Sequence, residues 1–447
     1  MEVLESFLKE NRITEIESTI PDMTGNARGK FYPTRKFLSE QSGRIPEAIL
    51  IQTVTGGCAE NPQTLIHPSD RDMILVPDVS TLRRVPWADE PTAQIINDCY
   101  TAEGKLHPLS TRGVLRRVMQ LFQDEGLKPV IAPELEFYLL QQNLDPDNEL
   151  QSAIGRSGRR ETARQSYGID AVNEFNPVID TLYEYCTAQG LDVDTLIHET
   201  GAAQMEVNFL HGDPINLADQ VFVFKRTLRE TAIKHGIYGT FMAKPMEHEP
   251  GSSMHIHQSL IDIETDTNIF ADKDGNYSDT FYHYIGGLQR YIPHAISFFA
   301  PNVNSYRRFA PGMAAPVNMD WGIDNRTAGL RAPACDPANT RIENRFSGAD
   351  ANPYLTIALT LACGYLGIKE QIKPADPVEG IAFLPGDTIQ VARSLEEGLR
   401  LLDECAPLKK ILGEHFVKAY IAVKRAEFET FNQVISSWER EHLLLNV

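Results

Sequence analysis

The sequence predicts an α+β protein in which a small β-rich module comes before a larger domain of strands and helices. Three observations support this prediction. The residues before Ile96 are rich in proline and glycine and carry few helix signals. Residues 133–140 and 204–209 alternate polar with apolar side chains, which is the period of a β-strand. Helical patterns cover residues 215–236 and 395–441.

Local patterns predict the individual elements of the N-terminal part. Residues 2–10 have the apolar spacing of a short amphipathic helix, and residues 15–20 form a predicted strand. Ser110 is a plausible N-cap for a helix with a strong apolar face, and a polar turn precedes it. The sequence therefore predicts two domains, residues 1–103 and residues 104–447.

The larger domain contains further predicted elements. Residues 141–168 are polar and indicate a surface excursion, and residues 173–189 form a predicted helix. The helix over residues 215–236 carries basic residues that are most simply a solvated face, namely Lys225, Arg226, Arg229 and Lys234. We expect the C-terminal helical region to break near Pro407.

The composition excludes several classes of function. The 447 residues include 42 basic and 61 acidic side chains, a formal net charge of −19, without a basic stripe that would match a nucleic-acid backbone. The N-terminus lacks the pattern of a signal peptide, and no apolar run approaches the roughly 18 residues of a membrane span. The six cysteines are scattered, as expected for reduced thiols. We expect a cytoplasmic protein without nucleic-acid or membrane partners.

The strand-like segment Pro133–Leu140 gives the first chemical signal. Glu134 and Glu136 share one of its faces, while the opposite face is apolar and has to be buried. By itself such a pair is more typical of a half-buried strand with its acids in water. Three further stretches of the chain show related patterns, which favours a functional site.

Two of these stretches combine acids and histidines. Glu199 precedes a turn of small residues, and Glu206 lies on the polar face of the next strand. His255 and His257 follow a Gly/Ser loop and point the same way from one strand. One histidine would be structural by default, but two on one face favour contact with a ligand or a phosphate.

The last stretch supplies positive charge. Arg341, Glu343 and Arg345 share a strand face, and a surface ladder of ion pairs would look similar. Arginine forks, however, suit carboxylate and phosphate oxygens. More arginines lie in the Pro/Gly-rich loops before this strand, namely Arg307, Arg308, Arg326 and Arg331.

Together these residue types indicate phosphoryl transfer. Ligation by carboxylates with few imidazoles suits Mg²⁺ or Mn²⁺ better than zinc, and arginines neutralise phosphate charge. The chain has no P-loop and no usable dinucleotide-binding glycine motif, so phosphates are held in another way. A two-metal hydrolase could use the same acids and histidines, but it would leave the arginines without a role.

With these residues in hand, the chain resembles the glutamine synthetase superfamily nearly end to end. Motifs in the family's order extend from Pro21–Lys30 to Asp350–Leu355. The resemblance implies a small N-terminal β-grasp domain and a catalytic domain with a curved antiparallel sheet and helices. It also implies active sites shared between subunits of a homododecamer, built from two stacked hexameric rings.

The resemblance further implies ATP, L-glutamate and Mg²⁺ or Mn²⁺ as ligands, and it assigns residues to them. One metal would be bound by Glu136, Glu199 and Glu206, and the second by Glu134, His255 and Glu343. The residues implied at ATP and its phosphates are His257, Ser259, Arg326, Arg331 and Arg341. Those implied at glutamate are Gly251, Arg308 and Arg345. Arg326, Glu343 and Arg345 are the implied catalytic residues.

Two departures from the family pattern concern the amine. Glutamine-forming members carry a flap glutamate in a P-G-Y-E-A-P run, which helps to bind and deprotonate ammonium, whereas Pro311–Pro316 here places Ala314 at that position. The family's F-D-G-S-S run, whose aspartate also serves ammonium, is replaced by residues 54–58. A small buried cation needs a counter-charge, and alanine leaves space for a larger amine.

These departures resemble the γ-glutamylpolyamine and γ-glutamylamide synthetase branch. The sequence predicts an ATP-dependent ligase that joins the γ-carboxylate of L-glutamate to a polyamine, monoamine or aromatic amine through a γ-glutamyl phosphate. The alternatives are an ammonia-dependent glutamine synthetase and an inactive scaffold, although the complete set of metal ligands counts against the scaffold. Met313, Ala314 and Trp321 give the flap side an apolar character, which favours hydrophobic amines.

Overall fold

The computed structural model describes residues 2–40, 42–309, 315–382 and 391–447. The strands of this part of the chain are β1 (Glu15–Pro21), β2 (Ala27–Pro33), β3 (Gly43–Pro46), β4 (Asp72–Pro77), β5 (Arg83–Arg84), β6 (Thr92–Tyr100), β7 (Leu127–Gln141), β8 (Val193–His198), β9 (Gln204–Phe209), β10 (Ile237–Thr240), β11 (Met254–Asp262), β12 (Thr267–Asn268), β13 (Trp321–Ile323), β14 (Leu330–Ala332) and β15 (Ile342–Asn344). The helices are α1 (Glu2–Glu10), α2 (Thr34–Glu40), α3 (Thr111–Asp124), α4 (Ile169–Asn173), α5 (Asn176–Gln189), α6 (Pro214–Lys234), α7 (Asp279–Phe299), α8 (Pro353–Glu370), α9 (Leu395–Glu404), α10 (Ala406–Leu412), α11 (Glu414–Asn432) and α12 (Ser437–His442). The predicted α+β class is confirmed.

The N-terminal strands form a sheet of their own. Its order is β2-β1-β6-β4-β3, with β5 also paired to β6. The central pair, β1 and β6, is parallel, and the other pairings are antiparallel. Helices α1 and α2 bury Leu4, Leu8 and Phe37 in a cluster with Ile16 and Ile95 of this sheet. The predicted β-rich N-terminal module is therefore present.

The second sheet has the order β13-β14-β15-β11-β7-β9-β8, with β10 also paired to β7 and β12 to β11. Its pairings are antiparallel, except that of β13 with β14. Leu135, Phe137 and Leu139 of β7 are fully buried on the side where α3 and α6 pack. Because side chains alternate along a strand, the opposite face of β7 is left for polar residues.

The helices begin and end close to the predicted positions. Ser110 is the N-cap of α3, and its hydroxyl accepts a hydrogen bond from the backbone N–H of Gly113 at 3.1 Å. The C-terminal helices break at Cys405, close to Pro407 as predicted, and again at Gly413. No helix in the described ranges is both long and apolar enough to cross a membrane.

The basic residues of α6 do not all face solvent. Arg229 and Lys234 are exposed as predicted, but Lys225 is buried and donates a hydrogen bond to the carbonyl of Ala351 at 2.7 Å. Arg226 is half-buried and pairs with a carboxylate of β1 at 2.6 Å. The prediction was wrong for these two residues because α5, α8 and β10 pack around α6. Burial lowers the pKa of Lys225 to about 7.

A buried arginine joins the N-terminal sheet to the rest of the chain. Arg112 of α3 is 1% exposed and forms ion pairs with Asp78 at 2.6 Å, Asp98 at 2.7 Å and Asp219 of α6 at 2.8 Å. Apolar residues of the N-terminal sheet and apolar residues after position 103 belong to one continuous buried cluster. The predicted boundary after residue 103 lies between β6 and α3, and the division into two domains stays a prediction.

We expect Arg112→Met to lower the free energy of unfolding by about 3–5 kcal/mol, because it leaves buried carboxylates without their counter-charge. Arg116→Met is the matched control. Arg116 pairs with the same Asp78 and Asp98 but is 38% exposed, so its loss should cost about 1 kcal/mol or less. Urea denaturation of both variants measures the difference, and equal shifts would contradict the expectation.

The depressed pKa of Lys225 should make stability depend on pH. Between pH 7 and 10.5 the unfolded chain keeps a proton on this lysine that the folded protein has released. Stability should therefore rise with pH in this window, by up to about 1.4 kcal/mol per pH unit. Urea denaturation of the wild type and of Lys225→Met at several pH values isolates this contribution. A stability difference that does not change with pH would contradict it.

Candidate active site

Strand pairing brings the predicted site residues together. On β7, Glu134 lies opposite His255 of β11. Glu136 of β7 lies opposite Glu206 of β9, and His257 of β11 lies opposite a residue of β15, Glu343. Residues directly opposite each other on antiparallel strands point to the same face of the sheet. The acids and histidines therefore form one polar surface above the buried face of β7.

A cavity of about 420 Å³ lies on this surface. The predicted site residues in its lining are Glu134, Glu136, Glu199, Glu206, Gly251, His255, His257, Arg308, Arg326, Arg331, Arg341 and Arg345. Glu343 lies behind them and contacts two of the arginines. Ala314 lies outside the described residues, but its neighbour Ala315 also lines the cavity.

A second, larger cavity of about 600 Å³ adjoins the first. Ser259 lines only this larger one. The residues that line both cavities are Glu134, Asn208, His257 and Arg341. The two cavities therefore meet at the acid and histidine cluster, and a group bound at this junction is within reach of molecules in either cavity.

Glu134 is held by both histidines. Its carboxylate lies 2.8 Å from Nε2 of His257 and 3.4 Å from Nδ1 of His255. Burial by itself would raise the pKa of Glu134, but the hydrogen bonds with the two imidazoles outweigh it and hold the pKa below its usual range. Glu134 is therefore ionised at neutral pH and available as an anionic ligand.

Glu343 is ionised for a different reason. Its carboxylate accepts hydrogen bonds from Arg331 at 2.9 Å and Arg345 at 2.5 Å, and it lies 3.5 Å from Nδ1 of His255. Burial opposes ionisation, but the charge of Arg345 and of the histidines lowers the pKa of Glu343 to about 2. The carboxylate in turn fixes both arginines beside the cavity.

Two further acids, Glu136 of β7 and Glu206 of β9, have too little compensation to stay in their usual pKa range. Burial and the nearby charge of Glu199 raise the pKa of Glu136 to about 8. Burial and the surrounding carboxylates raise the pKa of Glu206 well above its usual range. In the described part of the chain, no side chain donates a hydrogen bond to the Glu206 carboxylate. Buried carboxylates that repel each other in this way are the donor set of a site for a cation.

The geometry fits divalent metal ions. Ligand atoms of Glu134, Glu206 and His255 lie within 4.8 Å of one another, and so do those of a second group, Glu134, His257 and Glu343. Oxygen-rich donors of this kind suit Mg²⁺ or Mn²⁺. These groups use the predicted acids and histidines but divide them differently from the predicted ligand sets, so the assignment of each residue to one of two ions stays a prediction.

Arg308 lies in the buried wall of the cavity. It ends the short 3₁₀ helix Val303–Arg308, and its guanidinium donates to the carbonyls of Arg345 and Phe346, at 3.3 and 3.2 Å. Gly251 passes directly over its side chain, and a Cβ there would lie 2.0 Å from Cγ of Arg308. Only glycine allows this approach, which keeps the backbone at position 251 beside the cavity.

Three polar residues of the site were not predicted. Tyr138 donates a hydrogen bond to the carbonyl of Pro250 at 2.8 Å, and Gln204 bridges Glu136 at 3.1 Å and the carbonyl of Gly251 at 3.0 Å. Asn208 lines both cavities with its amide oxygen unpaired. Each shares a strand face with a predicted acid, so the period-two pattern contained the signal.

Trp321 and residues 54–58, which bear on the predicted amine side, lie away from the cavity. Trp321 does not line the cavity, because its ring is buried in the core and its N–H bonds the carbonyl of Ala375 at 2.6 Å. The argument from Trp321 for an apolar flap side was therefore wrong, and Met313 and Ala314 lie outside the described residues. The segment 54–58 contacts α11 in this chain, where the N–H of Val54 donates to Glu427.

The comparisons with known proteins agree with this geometry. The family model described as glutamine synthetase, catalytic domain, matches residues 108–443. The chain belongs to the glutamine synthetase family. Its fold is similar to that of a solved structure of GmaS without ligand, with a TM-score of 0.84, 27% identity and coverage of 100% of both chains. The predicted family and fold are therefore confirmed.

Named relatives include amine ligases and glutamine synthetases. The chain is 33% identical to the γ-glutamylputrescine synthetase PuuA of Escherichia coli, over 96% of this chain and 92% of PuuA. It is 33% identical to a glutamate–isopropylamine ligase of a Pseudomonas species, over 82% and 80% of the two chains. It is also 34% identical to a glutamine synthetase of Pyrococcus abyssi, over 84% and 82%.

Mn²⁺ should stabilise the protein, by about 2.7 kcal/mol at a hundredfold excess over its dissociation constant. Glu206→Gln should reduce this gain, because it removes a predicted ligand of one of the two ions. The metal-free variant should be at least as stable as the wild type, since it loses a buried and repelled carboxyl group. Thermal denaturation with and without Mn²⁺ measures both effects.

Glu264→Gln, which changes an exposed acid, is the control and should keep the full metal response. A Glu206→Gln variant that is destabilised without metal but keeps the Mn²⁺ response would show that Glu206 has a structural role instead.

Proposed function

We propose that the protein is an ATP-dependent ligase that joins the γ-carboxylate of L-glutamate to an organic primary amine. The observation that carries this proposal is a cavity lined by most of the residues that the family resemblance implies, in a chain whose flap sequence has Ala314 in place of an ammonium-binding acid. Relatives named for putrescine and isopropylamine ligation, at 33% identity over most of the chain, support the same conclusion.

The two cavities suggest where each substrate binds. The smaller cavity contains Arg308 and Arg345, whose guanidinium groups suit the two carboxylates of glutamate. The larger cavity contains Ser259 and opens onto His257 and Arg341, which suits ATP with its phosphates at the junction. A relative of similar fold, at a TM-score of 0.83 and 27% identity, was solved as a GmaS/ADP complex, which supports nucleotide binding here.

In the proposed reaction, the γ-phosphoryl group of ATP passes to the γ-carboxylate of glutamate, and ADP leaves. The amine nitrogen then attacks the acyl carbon, phosphate leaves, and the amine gives up one proton. The acids Glu134, Glu136, Glu199, Glu206 and Glu343, with His255, would hold two Mg²⁺ or Mn²⁺ ions, which neutralise phosphate charge when bound.

In this proposal the arginines stabilise the negative charge of the phosphoryl group during its transfer. Arg331 and Arg345 are fixed by Glu343 and face the cavity, so their charges are already in place when a phosphoryl group is transferred. Arg326 lines the same cavity and adds a third positive charge. Preorganised charges of this kind stabilise the transition state without reorganisation.

A second candidate function is ammonia-dependent glutamine synthesis. It is favoured by the 34% identity to a glutamine synthetase of Pyrococcus abyssi. It would need another group to replace the missing flap acid, because a small desolvated cation requires a counter-charge. The choice between the two functions is a question of which amine accelerates phosphate release.

We expect phosphate release from ATP and glutamate to be fast with at least one organic amine and slow with ammonium. The panel contains ammonium, methylamine, isopropylamine, ethanolamine, putrescine, spermidine and benzylamine, each assayed with Mg²⁺. Omission of ATP should abolish product formation, which excludes a hydrolase. Glu134→Ala and Glu343→Ala should be inactive, which excludes a scaffold. Preference for ammonium would reassign the protein to glutamine synthesis.

Ala314→Glu tests the flap directly. We expect this variant to gain activity with ammonium relative to the organic amine by about 10-fold or more, because the new carboxylate supplies a counter-charge worth at least one hydrogen bond to a charged group. Ala314→Gln, which has the same size without the charge, is the matched control. Equal behaviour of the two variants would show that space, and not charge, sets the preference.

The proposal extends to assembly and location. The family resemblance supports a cytoplasmic homododecamer of two stacked hexameric rings. Mass photometry of the purified protein would distinguish this assembly from a smaller one.

A further inference from the structure

The turn that carries Glu199 is bound in an unusual way. All four backbone N–H groups of residues 200–203 donate to side-chain oxygens, and in chain order these belong to Glu199, Gln204, Glu249 and Glu161, at distances of 2.9, 2.9, 3.1 and 2.6 Å. Two of the acceptors come from distant segments of the chain. Ala203 has a φ of +59°, a strained conformation for a residue with a side chain. The hydrogen bonds with Glu249 and Glu161 therefore help to hold the turn in this conformation.

Glu161 contacts both ends of this turn, directly at Ala203 and through His198 at Glu199. Its Oε2 atom accepts a hydrogen bond from the N–H of Ala203 and lies 2.9 Å from Nε2 of His198. The other ring nitrogen of His198, Nδ1, lies 2.7 Å from the carbonyl oxygen of Glu199. The ring of His198 is completely buried and the Glu161 side chain is 9% exposed. A single carboxylate thus fixes the backbone on either side of the turn, once directly and once through an imidazole.

The excursion that supplies Glu161 is itself attached at several points. Ser152 donates a hydrogen bond to the carbonyl of Glu161 at 2.9 Å, and the N–H of Tyr167 donates to the carbonyl of His198 at 2.8 Å. Glu161 lines a separate rear cavity of about 460 Å³, behind the turn, and does not line the smaller cavity that contains Glu199. The excursion is thus more than the surface loop that its sequence predicts.

We propose that Glu161, acting through His198 and the N–H of Ala203, is a positioning residue for the carboxylate of Glu199. The inference rests on the proposed function, in which Glu199 helps to hold a metal ion. Glu199 has only its own turn to orient it, because its carboxylate accepts from Thr200 alone among the described residues. Groups that orient a metal ligand from behind commonly change metal affinity by about 10–100-fold.

The test compares Glu161→Gln with Glu149→Gln. The first substitution keeps nearly the same side-chain shape, and its amide oxygen can take the place of Oε2, but it removes the negative charge that strengthens the bonds with Ala203 and His198. Glu149 is an exposed acid on the same excursion and lines the same rear cavity, so it controls for loss of charge there. Thermal denaturation first establishes that both variants are folded.

The first readout is amide hydrogen exchange of the metal-free protein. In Glu161→Gln, exchange over residues 199–204 should become about 10-fold faster, while the neighbouring strands and the Glu149→Gln variant should match the wild type. Unchanged exchange in this turn would overturn the inference, and so would faster exchange throughout the sheet, since that reports a general loss of stability.

The second readout is Mn²⁺ binding followed by electron paramagnetic resonance. Glu199→Gln and His255→Gln identify the binding step to which each residue contributes. Glu161→Gln should weaken the step affected by Glu199→Gln by about 10-fold or more and leave the other step unchanged. Equal weakening of both steps, or of neither, would overturn the inference. If the wild type binds no Mn²⁺, the proposed function fails, while the exchange measurement still tests the positioning of the turn.

Discussion

The site depends on the enforced proximity of like charges on one face of the second sheet. The apolar face of β7 is buried in the core, so Glu134 and Glu136 have no freedom to turn away from the polar face. Two kinds of environment result. Glu134 and Glu343 have cations or imidazoles beside them and stay ionised, whereas Glu136 and Glu206 are buried and repelled. The stability gained by the core holds this unfavourable arrangement in place, and a bound cation would relieve it.

The arginines and the acids depend on one another. Glu343 is almost fully buried, and the guanidinium groups of Arg331 and Arg345 make that burial possible. In return, the carboxylate fixes both groups at the edge of the cavity. Neither partner would be stable there alone, so a substitution at one of these positions changes the charge state and the orientation of the others. The effects of such substitutions are not expected to be additive.

The sequence predicted much of this because strand periodicity is a local property. The acids of β7, the histidines of β11 and the start of α3 all follow from patterns within a few residues. Long-range packing is different. Lys225 is buried because α5, α8 and β10 pack around α6, and Trp321 is in the core because the chain near it folds over α7. The role of Glu161 could not be predicted for the same reason, since its partner His198 is distant in sequence. Polar segments of this kind are usually loops.

The network of Arg112 has a consequence for the history of the chain. Its three carboxylate partners come from β6, from the residue after β4 and from α6, so one buried charge is balanced by segments on both sides of residue 103. Recombination at residue 103 would replace Asp78 and Asp98 without replacing Arg112 and Asp219. Chimeras between family members should therefore inherit the N-terminal sheet and α3 together, and the two parts of the chain are constrained to evolve as one unit.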